Sequence, residues 1–223
     1  MKKVVEAEVT KSEVTKSDIA FVDPDMSFKI ILVGHTGAGK TCLAKRVAND
    51  EFDDVHSVTI GGDFLNIYYY VNSKKVKLQL WDTCGLEQYR SLVRLYFKGA
   101  NAALITFDLS QDTAFSTVTE WNKELRDNIS EDIPTYLVGT KCDIKSKHIP
   151  EDAISNLVKT LNLTASFNTS SKTKEGLQDL FSAMLLKLYA EWENESKTKA
   201  TLEQRIKVET IRKTLPKKSK KCC

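Results

Sequence analysis

Eight consecutive residues constrain this chain more than any others. Gly34-His35-Thr36-Gly37-Ala38-Gly39-Lys40-Thr41 fits the pattern G-x-x-x-x-G-K-[ST] in full. The stretch follows an apolar run, Phe28-Lys29-Ile30-Ile31-Leu32-Val33, that reads as a short buried strand, and it opens a helix expected over Lys40 to Asn49. Glycines let the backbone curl so that successive N–H groups point at one anion. The helix N-terminus adds its partial positive charge. Lys40 brings a full charge for the β- and γ-phosphates of a nucleotide, and the Thr41 hydroxyl is a hard oxygen ligand of the kind Mg²⁺ takes. The strand–loop–helix context weighs against a chance glycine-rich turn. The motif leaves the choice between ATP and GTP open.

The rest of the chain fits around that loop. Asn66 to Val71 and Val76 to Trp81 are β-rich runs separated by Asn72-Ser73 and read as a hairpin. Ala102 to Phe107 and Pro134 to Val138 are apolar runs too short for helices, with helical character over Phe115 to Ile129 between them. Leu177, Leu180, Phe181, Met184, Leu185, Leu188 and Trp192 follow i, i+3, i+4, i+7 spacing, which is core packing along one helix face. Strands alternating with helices imply a mostly parallel sheet covered on both faces, with any ligand at the strands' carboxyl ends.

Length and charge set the limits. At 223 residues the chain has room for one ordinary domain plus two tails. No apolar run reaches the roughly 18 residues that a membrane-spanning helix needs. Five cysteines, widely spread, make neither a disulfide framework nor a zinc spacing. The net charge of +3 is uneven: from Ser196 onward ten Lys/Arg stand against Glu203 and Glu209. Positive charge therefore belongs to the tail, which argues against a nucleic-acid-binding core and for a tail that meets an anionic surface. Residues 1–27 hold a short tandem repeat, Glu8-Val9-Thr10-Lys11-Ser12 and Glu13-Val14-Thr15-Lys16-Ser17, and read as a disordered arm.

Two later segments bear on the base. In Thr140-Lys141-Cys142-Asp143, which follows an apolar strand, Asp143 can accept two hydrogen bonds from guanine N1–H and its 2-amino group. Adenine offers neither donor there, and the carboxylate would be left unpaired at a cost. Lys141 can lie over the purine and brace the phosphate loop. Downstream, Ser170-Ser171-Lys172 can place a backbone N–H against guanine O6.

These residues carry a family resemblance. The phosphate loop, Thr59, Asp82-Thr83-Cys84-Gly85, Thr140-Lys141-Cys142-Asp143 and Ser170-Ser171-Lys172 resemble the Ras superfamily of small GTPases. Ile60-Gly61-Gly62-Asp63-Phe64, Lys77-Leu78-Gln79-Leu80-Trp81-Asp82-Thr83, Glu87-Gln88-Tyr89-Arg90-Ser91-Leu92 and Tyr96-Phe97-Lys98-Gly99-Ala100 resemble its Rab family in particular. The resemblance implies a P-loop NTPase fold, the small G domain. That is an α/β domain over 28–193 with a central, mostly parallel six-stranded sheet, one antiparallel hairpin strand, and helices on both faces. It implies a GTP-hydrolysing switch in membrane trafficking, with Mg²⁺ as cofactor and GTP or GDP as ligand.

It also assigns roles. Residues Gly34 to Thr41, Cys42, Thr59 and Gly85 would hold the phosphates, and Thr41, Thr59 and (through water) Asp82 would hold Mg²⁺. Phe52, Thr140, Lys141, Asp143, Ser170, Ser171 and Lys172 would hold the guanine. Lys40, Thr59, Gly85 and the residue at 86 would form the catalytic set. Loss of the γ-phosphate would release the Thr59 and Gly85 loops together, which is the switch. Phe64, Trp81 and Tyr96 resemble the aromatic triad through which Rabs show their state to effectors; core filling is the competing reading of each ring. Expected partners are an exchange factor, an activating protein, effectors and a prenylation escort or GDP-dissociation inhibitor, with the chain itself a monomer.

The chain departs from the family pattern at Leu86, where relatives carry the Gln that orients the attacking water. A leucine has no amide to hold that water, so slow intrinsic hydrolysis is expected. The alternative is a near-permanently GTP-bound, effector-binding module. Thr140 replaces a usual Asn, Ser171 a usual Ala and Cys84 an Ala. At the C-terminus, Lys217-Lys218-Ser219-Lys220-Lys221-Cys222-Cys223 resembles a double prenylation signal on a flexible basic tail, 194–223. Two lipid chains and a basic patch hold a protein on an anionic leaflet where one chain is marginal. The expected location is the cytosolic face of intracellular membranes, with a soluble cytosolic pool.

Overall fold

The computed structural model describes residues 14–16, 23–53, 63–83, 90–111, 114–129, 132–144 and 149–214. Along the chain come β1 (Val14–Lys16), β2 (Met26–Val33), α1 (Lys40–Asn49), β3 (Asp63–Val71), β4 (Lys74–Asp82), α2 (Arg90–Phe97) and β5 (Ala102–Asp108). Then follow α3 (Ala114–Asn128), β6 (Thr135–Thr140), α4 (Glu151–Thr160), β7 (Ala165–Asn168) and α5 (Leu177–Thr214). The strands form one sheet in the order β1-β3-β4-β2-β5-β6-β7. Strands β2 to β7 are the expected six, parallel throughout except for β3, which runs antiparallel to β4.

Local chemistry explains these elements. Asn72 and Ser73, the two residues between β3 and β4, have φ of 49° and 65°. Two left-handed residues make the type I′ turn whose twist matches a hairpin. Both alternating sets of β2 are buried: Ile31 and Val33 join Ala103, Ile105 and Phe107 of β5 and Val118, Trp121 and Leu125 of α3 in one apolar cluster. Ile30 and Leu32, pointing the other way, are equally buried. A strand covered on both sides reads as a continuous apolar run, as this one does. On β3, Tyr69 stacks against Phe181 of α5 with ring centroids 6.5 Å apart.

Three features of the structure lie beyond those expectations. The arm is not uniformly disordered: Val14–Lys16 pairs antiparallel with β3, in register Val14↔Val71, Thr15↔Tyr70 and Lys16↔Tyr69. The second repeat copy thus supplies a seventh, edge strand from two β-branched residues, and Lys16 Nζ fixes it by donating to Ala48 O at 3.0 Å. Strand β2 starts at Met26, two residues before the expected domain boundary. Finally, α5 continues to Thr214, so the segment 194–214 is helical. No Gly or Pro interrupts that stretch before Pro216. The i,i+4 pairs Lys187–Glu191 and Lys197–Glu193 support it. The chain forms two compact units, Met1–Leu186 and Lys187–Cys223.

Candidate functional site

The phosphate-loop motif lies between the end of β2 and the start of α1. Gly34, Gly37 and Gly39 have φ of 149°, 78° and 81°, so the loop's three glycines occupy backbone that other residues avoid. At Gly34 space is also limiting: a Cβ would lie 2.3 Å from the Thr106 carbonyl oxygen. At Gly37 a Cβ would meet nothing within 4 Å. Lys40 is buried, and its Nζ donates to Gly34 O at 2.8 Å and His35 O at 2.9 Å. The ammonium is thereby fixed against the loop's own backbone. A buried cation set beside a curled glycine loop favours an anion there. Thr36 Oγ1 is buried with no hydrogen-bond partner, a further polar atom in this loop that a ligand would satisfy.

Register brings the metal candidates together. Strand β4 pairs with β2 so that Asp82 stands opposite Leu32, next to the strand that feeds the loop. Thr41 Oγ1 donates to Asp82 Oδ2 at 2.7 Å, and Asp82 is buried. A hydroxyl and a carboxylate beside a phosphate cradle fit Mg²⁺, which takes one or two protein oxygens and fills its shell from phosphates and water. Among the described residues no cluster of three or more His, Cys, Asp or Glu could hold a metal alone. The Cys42 thiol, next to Thr41, is pushed up from its usual pKa by burial, against the lowering effect of Lys141.

The base-binding candidates emerge from the carboxyl ends of β6 and β7. Thr140 is buried, and its Oγ1 lies 2.9 Å from Ala38 O and 3.0 Å from Phe107 O, so its one proton ties this loop to the phosphate loop. Cys142 N donates to Thr169 O at 3.1 Å and joins the two base loops to each other. Ser170 is fully buried, and its hydroxyl accepts from the N–H groups of Lys172 and Thr173. Asp143 and Lys172 are exposed. Lys141, with φ of 60°, sends Nζ to Asp108 Oδ2 at 2.7 Å, and Thr140 makes the direct contact to the phosphate loop.

Asp108 and Arg46 belong to no motif, yet each contacts a candidate base-binding residue. Burial tends to raise the Asp108 pKa, but hydrogen bonds from Lys141 and Ser110 outweigh it and hold the carboxyl below the usual range. Its place at the end of β5, where ligands of such sheets gather, was the available signal. Arg46 gave none. Half-buried Phe52 lies under the Arg46 guanidinium, 5.6 Å from ring centroid to Cζ.

The three aromatics on the other part of the sheet do meet. Phe64 and Trp81, paired across β3 and β4, stack at 5.1 Å, and Trp81 meets Tyr96 at 5.3 Å. Lys29 Nζ sits 4.3 Å from the Trp81 ring, and Phe64 is exposed. The stack runs from exposed Phe64 inward to Trp81, which is partly buried and also packs against the apolar core cluster. Thr59, Cys84, Gly85, Leu86, Cys222 and Cys223 lie outside the described residues.

Known proteins resemble this chain over the same span. The model of the Ras family matches residues 29–190. The chain is 34% identical over 169 residues to Ras-related protein Rab-30 of Homo sapiens, covering 76% of this chain and 83% of that protein. It is 33% identical over 161 residues to Ras-related protein Rab-13 of Canis lupus familiaris, covering 72% and 79% respectively.

Proposed function

This chain belongs to the Rab family of Ras-superfamily small GTPases, and from that membership we propose that it is a GTP/GDP switch of membrane trafficking with very slow unaided hydrolysis. What carries the nucleotide part is one juxtaposition. Lys40, the Thr41–Asp82 pair and Thr140 meet around a single loop, so the phosphate, metal and base elements share one frame.

In this reading the protein's work is positioning. The loop N–H groups and Lys40 would hold the β- and γ-phosphates, while Thr41 and Asp82 would hold Mg²⁺. The metal, when bound, supplies charge that offsets the phosphate oxygens. Asp143 accepts from the guanine edge, and the Ser170–Lys172 loop offers a backbone donor to its O6. Thr59 and the Gly85 N–H read the γ-phosphate, and their release after hydrolysis disengages an effector from the Phe64–Trp81–Tyr96 surface. Leu86 cannot orient the attacking water, which supports slow turnover. The same residue favours a second reading, a near-permanently GTP-bound effector-binding module.

The C-terminal Cys222-Cys223 pair and the lysines before it support double prenylation and anchoring on the cytosolic face of intracellular membranes. Among the described residues no helix is long and apolar enough to cross a membrane. Regulation by an exchange factor, an activating protein and a GDP-dissociation inhibitor follows from the family.

The test is the nucleotide content of natively purified protein, read by HPLC and followed over hours at 37 °C. Bound GTP that converts slowly to GDP is the expected result, and GTP that never converts selects the second reading. Protein that retains neither nucleotide, with or without Mg²⁺, overturns both.

A further inference from the structure

Arg46, in the last turn of α1, has no part in the roles assigned above, yet it touches two parts of the candidate base pocket and the cap of its own helix. Its Nε donates to Ser171 O at 2.6 Å, inside the loop proposed to face guanine O6. Its Nη1 donates to Asp50 O at 2.6 Å and lies 3.2 Å from Asp50 Oδ1. Its guanidinium lies 5.6 Å from the centroid of Phe52, the ring proposed to cover the guanine. The side chain is 13% exposed, so these contacts are largely shielded from water. Asp50 is held in turn by Lys174 Nζ, 2.7 Å away, from the turn that follows Ser171.

We propose that Arg46 is a positioning residue that ties the Phe52 cover to the Ser171 loop and thereby sets how fast guanine nucleotide dissociates. The proposal rests on the guanine-nucleotide reading above. A guanidinium is planar and presents its donors in a fixed fork, so bonds from Nε and Nη1 fix the loop and the end of α1 in one relative arrangement, and the same group faces the Phe52 ring. A ligand that enters such a pre-set pocket does not have to order it, and the saving appears mainly as slower release. The exposed Asp50–Lys174 pair adds little by itself. The shielded bond to Ser171 O and the ring contact carry the effect.

The test is release of a fluorescent GDP analogue, chased with excess GDP, from the full-length chain. Wild type is compared with Arg46→Ala, Arg46→Lys, Phe52→Leu and the Arg46→Ala/Phe52→Leu double variant. Arg46→Ala is expected to release GDP about tenfold faster, equivalent to about 1.4 kcal/mol. Arg46→Lys keeps the charge but loses the fork, and recovers less than half of that change on a logarithmic scale. EDTA speeds every variant but preserves the ratio, because the tie acts on the base and not the phosphates. In the double variant the Arg46 change adds less than about twofold to Phe52→Leu, since its target is gone.

An unchanged rate in Arg46→Ala, or effects that multiply in the double variant, overturns the proposal. If Arg46→Ala does not fold, a wild-type release rate in Arg46→Lys overturns it equally. Wild-type protein that binds no GDP overturns the underlying nucleotide reading instead, so the two failures are distinguishable.

Discussion

The Thr140 hydroxyl stands 2.9 Å from the Ala38 carbonyl oxygen, 102 positions away, and joins the end of β6 to the phosphate loop. Gly39 packs against the same threonine: a Cβ there would lie 3.3 Å from Thr140 Oγ1. One side chain thus sets the separation between the two halves of the pocket.

Thr140→Val keeps the shape and removes the donor. Two buried carbonyls, of Ala38 and Phe107, then lose this proton, at a cost of about 1–3 kcal/mol. Urea unfolding should show that loss, and the gain in stability from added GDP–Mg²⁺ should shrink. Thr140→Asn, which retains a donor, should lose less than half as much.

The Asp108–Lys141 pair makes a prediction with a definite pH sign. The folded-state pKa of Asp108 is lowered, so its ionised form stabilises the protein at any pH above the unfolded value of about 3.9. That contribution is lost only as pH falls through the still lower folded value. Asp108→Asn should therefore be less stable than wild type by a constant amount from pH 5 to 8. The gap should close below about pH 4. Thermal melts across that range check it, and a gap that widens on acidification contradicts it.

Two glycines of one loop should behave differently. Alanine at Gly34 would drive a methyl to 2.3 Å from backbone oxygen of Thr106, which no rotamer relieves. Gly34→Ala is expected to cost more than about 4 kcal/mol or to prevent folding. Gly37→Ala meets open space and carries only the left-handed backbone cost of about 1–2 kcal/mol. Circular dichroism melts of the two variants make the comparison.

Leu86→Gln should restore a group able to hold the attacking water. Single-turnover GTP hydrolysis is expected to quicken by about 10- to 100-fold, the scale of one mispositioned contact in a reacting complex. Equal rates in the two proteins would contradict the assignment of slow turnover to Leu86.

Much of the architecture was legible before any coordinates. The bounds of α1, Lys40–Asn49, coincide with the reading, because the phosphate-loop motif marks where the helix must start. The hairpin turn at Asn72-Ser73 was readable because left-handed turn chemistry is local. Strand β1 was not: three residues of a polar repeat become a strand only because β3 offers an open edge to pair with. The full extent of α5 is not legible in a tail-like, charged composition, which also satisfies i,i+4 pairing when no Gly or Pro intervenes. In the candidate site, the motifs mark their own residues, while Asp108 and Arg46 belong to no motif and are legible only from their contacts.

What the sequence determined by itself is whatever a few adjacent residues can specify: the curled phosphate loop, the apolar strands, the helix stripe and the family pattern. The tertiary structure alone decided which distant groups meet. Thr41 reaches Asp82 across 41 positions, Thr140 reaches Ala38 across 102, and Arg46 reaches Ser171 across 125. The reason is physical. Backbone conformation follows from short-range sterics, whereas a hydrogen bond between remote side chains exists only after strand order and register have fixed where each element ends.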